Sequence, residues 1–402
     1  MSAPLRAHRV YAAMQQKDRM KTFKTMIRAA TRLTRSGQLM DATRVIQKLM
    51  ASPAAPMAAG KARARAEPSP IAVPDVPSEL SRSTAILADR IARFGETEGV
   101  ADVSIVSDKP ERGFVEGSHV HEGLTRRFKL FTPASAGRSP ALVVMLHGCT
   151  QSADDFAAGT RMNEWAEREG FVVLYPIQSR SANPGLCWNW FNDRDQYRGS
   201  GEAAFLADLI ASVVDSKGLD PRRVFVAGLS AGGAMAAIMA SEYPERFAAI
   251  GIHSGLAAGA AHNLPDALSA MRSGRLHTRA PVANRSNGAA ADRPDKIVPT
   301  IVFHGDDDQT VHPANASAIV ADLVKRSAAT IEPVKTDPAP GAGQRYTRQV
   351  HAMPDGGTIA EHWTLHGAPH AWSGGDARGS YTHPAGVDAT AEFIRFFNEQ
   401  AR

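Results

Sequence analysis

Cysteine is scarce in this sequence, and long apolar runs are missing. Among the 402 residues only Cys149 and Cys187 are cysteines, too few for a disulfide framework or a cysteine-rich zinc module. No stretch approaches the ~18 consecutive apolar residues that a bilayer-spanning helix needs. The first fifty residues carry charge throughout, which does not fit a secretory signal peptide. We therefore expect no transmembrane segment and, by sequence, a cytoplasmic location.

Motifs for cofactors and metals are also missing. We find no Gly-x-Gly-x-x-Gly on a first strand, no P-loop, no His-Glu-x-x-His and no clustered metal ligands. These motifs carry the chemistry of dinucleotide, phosphate and zinc binding. The sequence therefore implies no metal and no cofactor.

Charge is distributed unevenly along the chain. The formal net charge is +5, yet residues 1–65 contain fourteen lysines and arginines against two acids, Asp18 and Asp41. The remaining residues consequently carry a net negative charge. The basic excess belongs to an N-terminal arm, so it gives no indication of a nucleic-acid groove in the body of the protein.

Composition divides the chain into three zones. Apolar residues recur at three- and four-residue steps through residues 1–50, which predicts a basic amphipathic helical hairpin. Residues 51–115 open with Ala, Pro, Ser and Arg and predict a flexible linker and extension, with one helix near 86–94. From 116 to 402, short β-branched runs alternate with amphipathic helical segments.

This alternation predicts an α/β domain with a mostly parallel sheet and helices on both faces. We expect strands at 127–131, 142–146, 171–175, 224–227, 248–253, 300–304, 345–351 and 358–365. We expect helices at 155–169, 202–217, 231–242, 313–327 and 387–399. Residues 257–297 are an unusually long connection, of the kind that forms a cap over an active site or stays mobile.

The strongest chemical signal is the pentapeptide Gly228-Leu229-Ser230-Ala231-Gly232, between a predicted strand and a predicted helix. Gly-x-Ser-x-Gly in this setting is typical of a nucleophile elbow, where glycines allow the chain to reverse within a few residues. The serine hydroxyl then lies at a helix N-terminus, where the local field favours developing negative charge. We predict that Ser230 is a nucleophile, and the alternative is a glycine-rich helix start.

A serine nucleophile needs a base and an acid that orients the base. The predicted strand at 300–304 is followed by Asp306, Asp307 and Asp308. We favour Asp308, because the two earlier aspartates are expected to build and cap the turn, but a turn without a catalytic member stays open. For the base we favour His370, in the loop after the last strand, with His366 as the local competitor.

Two backbone amides must stabilise the oxyanion of an acyl-transfer reaction. The expected donors are Ala231, which follows the nucleophile, and Cys149, in the loop after the strand at 142–146. A catalytic Cys149 thiol is disfavoured, because no helix start or suitably spaced histidine accompanies it. Cys187 could pair with Cys149, although a reducing compartment would argue against that bond.

Aromatic residues near these loops are candidate substrate contacts. Trp188 and Trp190 lie in a polar loop. We predict that they form an aromatic wall of the substrate site, against an apolar acyl or aromatic group of the substrate. The alternative is that they only pack the loop onto the sheet. Trp372, two residues after the favoured histidine, is a third candidate.

Taken together, these motifs resemble the polyhydroxybutyrate depolymerase family of esterases, whose relatives include feruloyl and acetyl-xylan esterases. The resemblance covers residues 127–398 and rests on LHGCTQSADDFAAGTRMNEWAEREGFVVLYP, NPGLCWNWF, DPRRVFVAGLSAGGAMA, HGDDDQTVHP and APHAWSGG. It implies an α/β-hydrolase fold with Ser230 as nucleophile, Asp308 as acid, His370 as base and the Cys149 backbone in the oxyanion hole. Many relatives are secreted, whereas this chain shows no signal peptide and adds the basic arm.

The resemblance implies a serine esterase that hydrolyses carboxylic esters, with hydroxyalkanoate oligomers or polymer as substrate. Feruloyl or acetyl-xylan esters are the alternative substrates, and the same residues are chemically able to hydrolyse peptide bonds. A hypothesis of another class is that residues 1–65 make this a binding protein for an anionic surface or a polymer granule. No specific nucleic-acid partner is predicted, and a basic face is more often simply solvated.

Overall fold

The computed structural model describes residues 113–274, 296–327, 343–353 and 356–401. The predicted hairpin, nearly all of the predicted linker and extension, and residues 275–295 of the long connection therefore lie outside the described residues. The cap and the basic arm stay predictions. Across the described ranges, no helix is long and apolar enough to cross a membrane.

The main sheet contains nine strands in the described residues. These are β1 (Gly113–His121), β2 (Leu124–Thr132), β3 (Leu142–Leu146), β4 (Val172–Pro176), β5 (Val224–Leu229), β6 (Ala249–His253), β7 (Thr300–Gly305), β8 (Tyr346–Ala352) and β9 (Thr358–Leu365). They lie side by side in the order β1-β2-β4-β3-β5-β6-β7-β9-β8. The six central strands run parallel to one another: β4, β3, β5, β6, β7 and β9. At the two edges, β1, β2 and β8 pair antiparallel with their neighbours. The predicted parallel sheet is confirmed.

Helices cover both faces of this sheet. They are α1 (Ala153–Thr160), α2 (Met162–Glu169), α3 (Gly201–Lys217), α4 (Ala231–Glu242), α5 (Leu264–Ser273), α6 (Ala314–Ser327) and α7 (Ala389–Gln400). Side chains of α3, α4, α5 and α6 join one buried apolar layer, and those of α1, α2 and α7 join the other. Two short parallel strands, β10 (Trp372–Ser373) and β11 (Thr382–His383), follow β9.

Strand β3 shows why the apolar runs are continuous. Every residue of its sequence LVVML is buried, because successive side chains of a strand point to opposite faces and both faces are covered. Val144 packs in one apolar layer, and its neighbours Val143 and Met145 pack in the other. The sheet therefore has no solvent-facing side along this strand.

Apart from the short strands β10 and β11, which were not predicted, the main differences from the predicted elements lie at three places. The helix predicted at 155–169 is two helices, α1 and α2, because Arg161 between them adopts a left-handed φ of 55°. Its guanidinium pairs with Asp388, just before α7. Strand β1 was not predicted and begins inside the segment predicted as an extension. Helix α5 was also not predicted, although Asn263 caps its first turn and such caps are readable signals.

Candidate active site

A single residue makes the turn between β5 and α4. Strand β5 extends through Leu229 and helix α4 begins at Ala231, so Ser230 alone reverses the chain. Its φ of 56° lies in a region that residues other than glycine rarely adopt. The Ser230 N–H donates to the carbonyl oxygen of His253 at 2.9 Å, which connects the turn to the end of β6. The residue itself is half-buried.

The two glycines of the pentapeptide are required by close backbone approach. A Cβ on Gly232 would overlap the carbonyl oxygen of Leu146, at the end of β3. A Cβ on Gly228 would overlap the backbone of Gly232. The start of α4 therefore packs directly on the end of β3, and glycine at both positions is a steric requirement.

Asp308 and His370 lie together after β7 and β9. The Nδ1 atom of His370 is 2.7 Å from Oδ2 of Asp308. The other carboxylate oxygen accepts the N–H groups of Thr310 at 2.9 Å and Val311 at 2.8 Å. Burial acts to raise the pKa of Asp308, but hydrogen bonds from His304 and His370 hold that pKa well below its usual range. The carboxylate is therefore a charged acceptor for the imidazole.

The competing acid and base form a separate pair. Nδ1 of His366 lies 2.8 Å from Oδ2 of Asp306, and its Nε2 lies 2.9 Å from Oγ1 of Thr347. Asp306 also accepts the N–H of Gly367 at 2.6 Å. Both ring nitrogens of His366 are thus engaged, and the pair holds the loop after β9 against the end of β7. Asp307 is exposed and accepts from a neighbouring glutamine side chain.

Two buried histidines surround the Asp308–His370 pair. His304 Nε2 is 2.8 Å from the carbonyl oxygen of Val311 and 3.3 Å from Oδ2 of Asp308. Burial, with the His304 and His370 rings nearby, lowers the pKa of His253 to about 3, so this ring is neutral. The sequence assigns His304 no role, because its contact with Asp308 depends on how the loop after β7 folds. In the described part of the chain, no group of three or more His, Cys, Asp and Glu side chains could hold a metal ion.

The loop after β3 lies against Ser230 and is held from two sides. A Cβ built on Gly148 would be 3.7 Å from Cβ of Ser230, and the Gly148 N–H donates to Oε1 of Gln151 at 2.9 Å. On the other side Cys149 forms a disulfide with Cys187. Its sulfur is therefore not free to act as a nucleophile, and the pairing that the sequence left open is present.

The three candidate tryptophans are buried. Trp188 is 0%, Trp190 5% and Trp372 1% exposed. Trp188 packs beside the ring of His147, and Nε1 of Trp372 donates to Oγ1 of Thr390 at 3.0 Å. Burial of this kind is expected for rings that pack the loops onto the sheet, and contact between these tryptophans and a substrate stays a prediction.

Comparisons with known proteins bear on the family and the fold. The chain matches the family described as Esterase PHB depolymerase over residues 127–337. Poly(3-hydroxyalkanoate) depolymerase C from Paucimonas lemoignei is 30% identical over 238 residues, covering 59% of this chain and 56% of that protein. Acetylxylan esterase A from Talaromyces purpureogenus is 30% identical over 196 residues, covering 46% of this chain and 50% of that protein. The solved acetyl xylan esterase from Aspergillus awamori has a TM-score of 0.53 at 21% identity, covering 68% of this chain and 94% of that one.

These matches differ in what they establish. The chain spans about half the length of the curated relatives it matches. The likeness to the Aspergillus awamori structure concerns the fold alone, and with the sheet order described above it confirms the predicted α/β-hydrolase fold. The family match extends over more than half of the chain and includes the turn at Ser230, the loop at Cys149 and the acidic turn at Asp308. This chain therefore belongs to the Esterase PHB depolymerase family.

Proposed function

We propose that this protein is a carboxylic ester hydrolase with Ser230 as nucleophile, His370 as general base and Asp308 as the acid that orients the base. The observation that carries the proposal is the 2.7 Å contact between His370 Nδ1 and Asp308 Oδ2. The three residues follow β5, β7 and β9, which run parallel, and carboxyl ends of parallel strands meet at one edge of a sheet.

The proposed reaction assigns each atom a task. Because the Nδ1–H of His370 donates a hydrogen bond to the Asp308 carboxylate, Nε2 is the atom that accepts the Ser230 proton as the serine oxygen attacks the ester carbonyl. The amides of Cys149 and Ala231 stabilise the oxyanion of the tetrahedral intermediate. His370 then returns the proton to the leaving alcohol, and the carboxylate of Asp308 stabilises the transient imidazolium. Water, deprotonated by the same imidazole, hydrolyses the acyl-enzyme and releases the acid.

For the substrate we propose hydroxyalkanoate esters, on the similarity to the Paucimonas lemoignei depolymerase. Acetylated xylan is the second candidate, supported by the similarity to the Talaromyces purpureogenus enzyme. Comparing kcat/KM for hydroxybutyrate oligomers, acetylated xylan and feruloyl esters separates these candidates. The substrate is the one with the highest kcat/KM.

The test of the proposed nucleophile is Ser230→Ala. We expect kcat to fall on the order of 10⁴-fold or more with folding intact, because the residue that forms the acyl-enzyme is gone. A matched control is Ser216→Ala, which removes an exposed hydroxyl that donates to the carbonyl of Val213 in its own helix, and should keep full activity. A fluorophosphonate probe should modify the peptide that contains Ser230. Near-normal turnover by Ser230→Ala would refute the proposal.

A further inference from the structure

A fully buried carboxylate lies beneath the loop that carries Cys187. Glu202, in the first turn of α3, is 0% exposed. Its oxygens accept the Asn189 N–H at 2.7 Å, the Asn189 side-chain amide at 2.8 Å and the Gln178 side-chain amide at 2.5 Å. Burial raises the pKa of Glu202, while the Gln178 hydrogen bond and the Arg126 guanidinium, 3.4 Å away, act in the opposite direction.

The same polar cluster connects to both sides of the proposed oxyanion loop. The Gln178 side-chain amide also donates to the carbonyl oxygen of Cys187 at 2.9 Å, and Cys187 is bonded to Cys149. The Gln178 backbone N–H lies 3.3 Å from Nε2 of His147. A further hydrogen bond joins the loop after β3 to the loop that carries Cys187: the Thr150 N–H donates to the carbonyl of Gly185 at 2.8 Å.

We propose that Glu202 is a positioning residue for the Cys149 amide, acting through Asn189, Gln178 and the Cys149–Cys187 disulfide. The inference rests on the proposed function, because it needs the Cys149 N–H to stabilise the oxyanion.

The hydrogen bonds of Glu202 favour a positioning role over simple stabilisation. A buried charge is weak evidence for stability, since well-packed apolar residues often stabilise a protein equally well. Three donors to Glu202 come from Asn189 and Gln178, and the Gln178 side-chain amide also donates to the Cys187 carbonyl. Because Glu202 accepts hydrogen bonds from Gln178 and Asn189, at the two ends of the segment 178–189, it fixes the conformation of that segment. A misplacement of about 1 Å in an active site can cost roughly a hundredfold in rate.

The test is Glu202→Gln, which keeps the size of the side chain but turns one acceptor oxygen into a donor facing other donors. We expect kcat per active site to fall about tenfold to a hundredfold, with KM changed less than about threefold, because the oxyanion donor is displaced and not removed. Active sites are counted by fluorophosphonate titration, so that a smaller folded fraction does not register as a lower kcat. Thermal unfolding is measured in parallel.

A matched control is Glu361→Gln. Glu361 is also buried, at 1% exposure, and accepts from Arg348 and Arg395, but it lies on β9 outside the cluster around Glu202. This variant should lose stability while its kcat per active site stays within about twofold, because no oxyanion donor is displaced. Equal losses of kcat in both glutamine variants would overturn the proposal, as would an unchanged kcat in Glu202→Gln.

The route through the disulfide is tested with the double variant Cys149→Ala/Cys187→Ala, which keeps the backbone amide. We expect a lower kcat, and adding Glu202→Gln should lower it by less than Glu202→Gln does in the parent enzyme. Residues acting along one route show this non-additivity. Fully multiplicative losses would overturn the route.

Two further variants test the role of Glu202 if Glu202→Gln does not fold, and separate that role from the proposed function. If Glu202→Gln does not fold, the partly exposed Asn189→Ala removes one of the donors, and kcat should still fall several-fold with KM nearly unchanged. A wild-type kcat in Asn189→Ala would then contradict the inference. Ser230→Ala is assayed alongside: activity in that variant refutes the proposed function itself. An inactive Ser230→Ala beside a wild-type-like Glu202→Gln refutes only the role of Glu202.

Discussion

Asp306 and Asp308 lie two residues apart on one loop and have different partners. Asp306 accepts from His366 and Gly367, near the end of β9. Asp308 accepts from His370 and from two amides of its own turn. Each carboxylate thus orients a different histidine, and only the ring paired with Asp308 belongs to the proposed catalytic group.

At the residue scale, Asp308→Asn should lower kcat on the order of 10⁴-fold, because an amide cannot hold His370 in the tautomer that accepts the Ser230 proton. Asp306→Asn is the matched comparison and should keep kcat within about tenfold, since it disturbs only the positioning of the loop. Steady-state kinetics on a soluble ester measures both. A larger loss in Asp306→Asn than in Asp308→Asn would contradict the assignment of the acid.

At the element scale, the junction of β5 and α4 depends on two backbones in contact. Gly232, in the first turn of α4, packs against the carbonyl oxygen of Leu146 on β3, so the helix axis and the position of Ser230 are set together. The loop after β3 is in turn held against Ser230 by Gln151 and by the disulfide. The proposed nucleophile and the proposed oxyanion donors are therefore positioned by the same packing of β3, β5 and α4.

Gly232→Ala tests this junction. The added methyl group would overlap the backbone of β3, so we expect the free energy of unfolding to fall by at least about 3 kcal/mol. Gly137→Ala is the control: it lies in an exposed loop with nothing within 4 Å of the added Cβ, so stability should change by less than about 1 kcal/mol. Urea unfolding of both variants measures these changes in the free energy of unfolding. Similar stabilities would contradict the steric argument.

At the scale of the whole molecule, neutral buried histidines make the fold sensitive to acid. Burial, with His304 and His351 nearby, lowers the pKa of His362 to about 4, and the pKa of His253 is about 3. An unfolded chain binds these protons near pH 6.5. Between that pH and about 4 the unfolded state binds more protons than the folded state, so stability falls as the pH falls.

We expect each of these two histidines to remove about 1.4 kcal/mol of stability per pH unit across that window. Urea unfolding at several pH values between 7.5 and 4.5 measures the slope. His362→Gln should make the slope shallower by about that amount, whatever it does to stability at neutral pH. An unchanged slope in His362→Gln would show that this ring does not contribute.

Much of the fold was predictable, because its signals are local. Continuous apolar runs indicated β3, β4, β5, β6 and β7, and the spacing of apolar residues indicated α3, α4, α6 and α7 within one or two residues of their observed bounds. The break at Arg161 and helix α5 were missed, since a single left-handed residue and a short helix with few large apolar residues leave weak patterns. The buried carboxylate of Glu202 was missed too, because its burial depends on loops that close over it.

The parallel sheet and the turn at Ser230 follow from the amino-acid sequence alone, because apolar periodicity and glycine spacing act within a few residues of chain. The pairing of each aspartate with its histidine depends on the folded structure, since Asp308 and His370 are 62 residues apart. The folded structure likewise sets the Cys149–Cys187 bond, across 38 residues, and the burial of the three tryptophans. Such contacts depend on how several loops pack at one edge of the sheet, and local propensity carries no information about that packing.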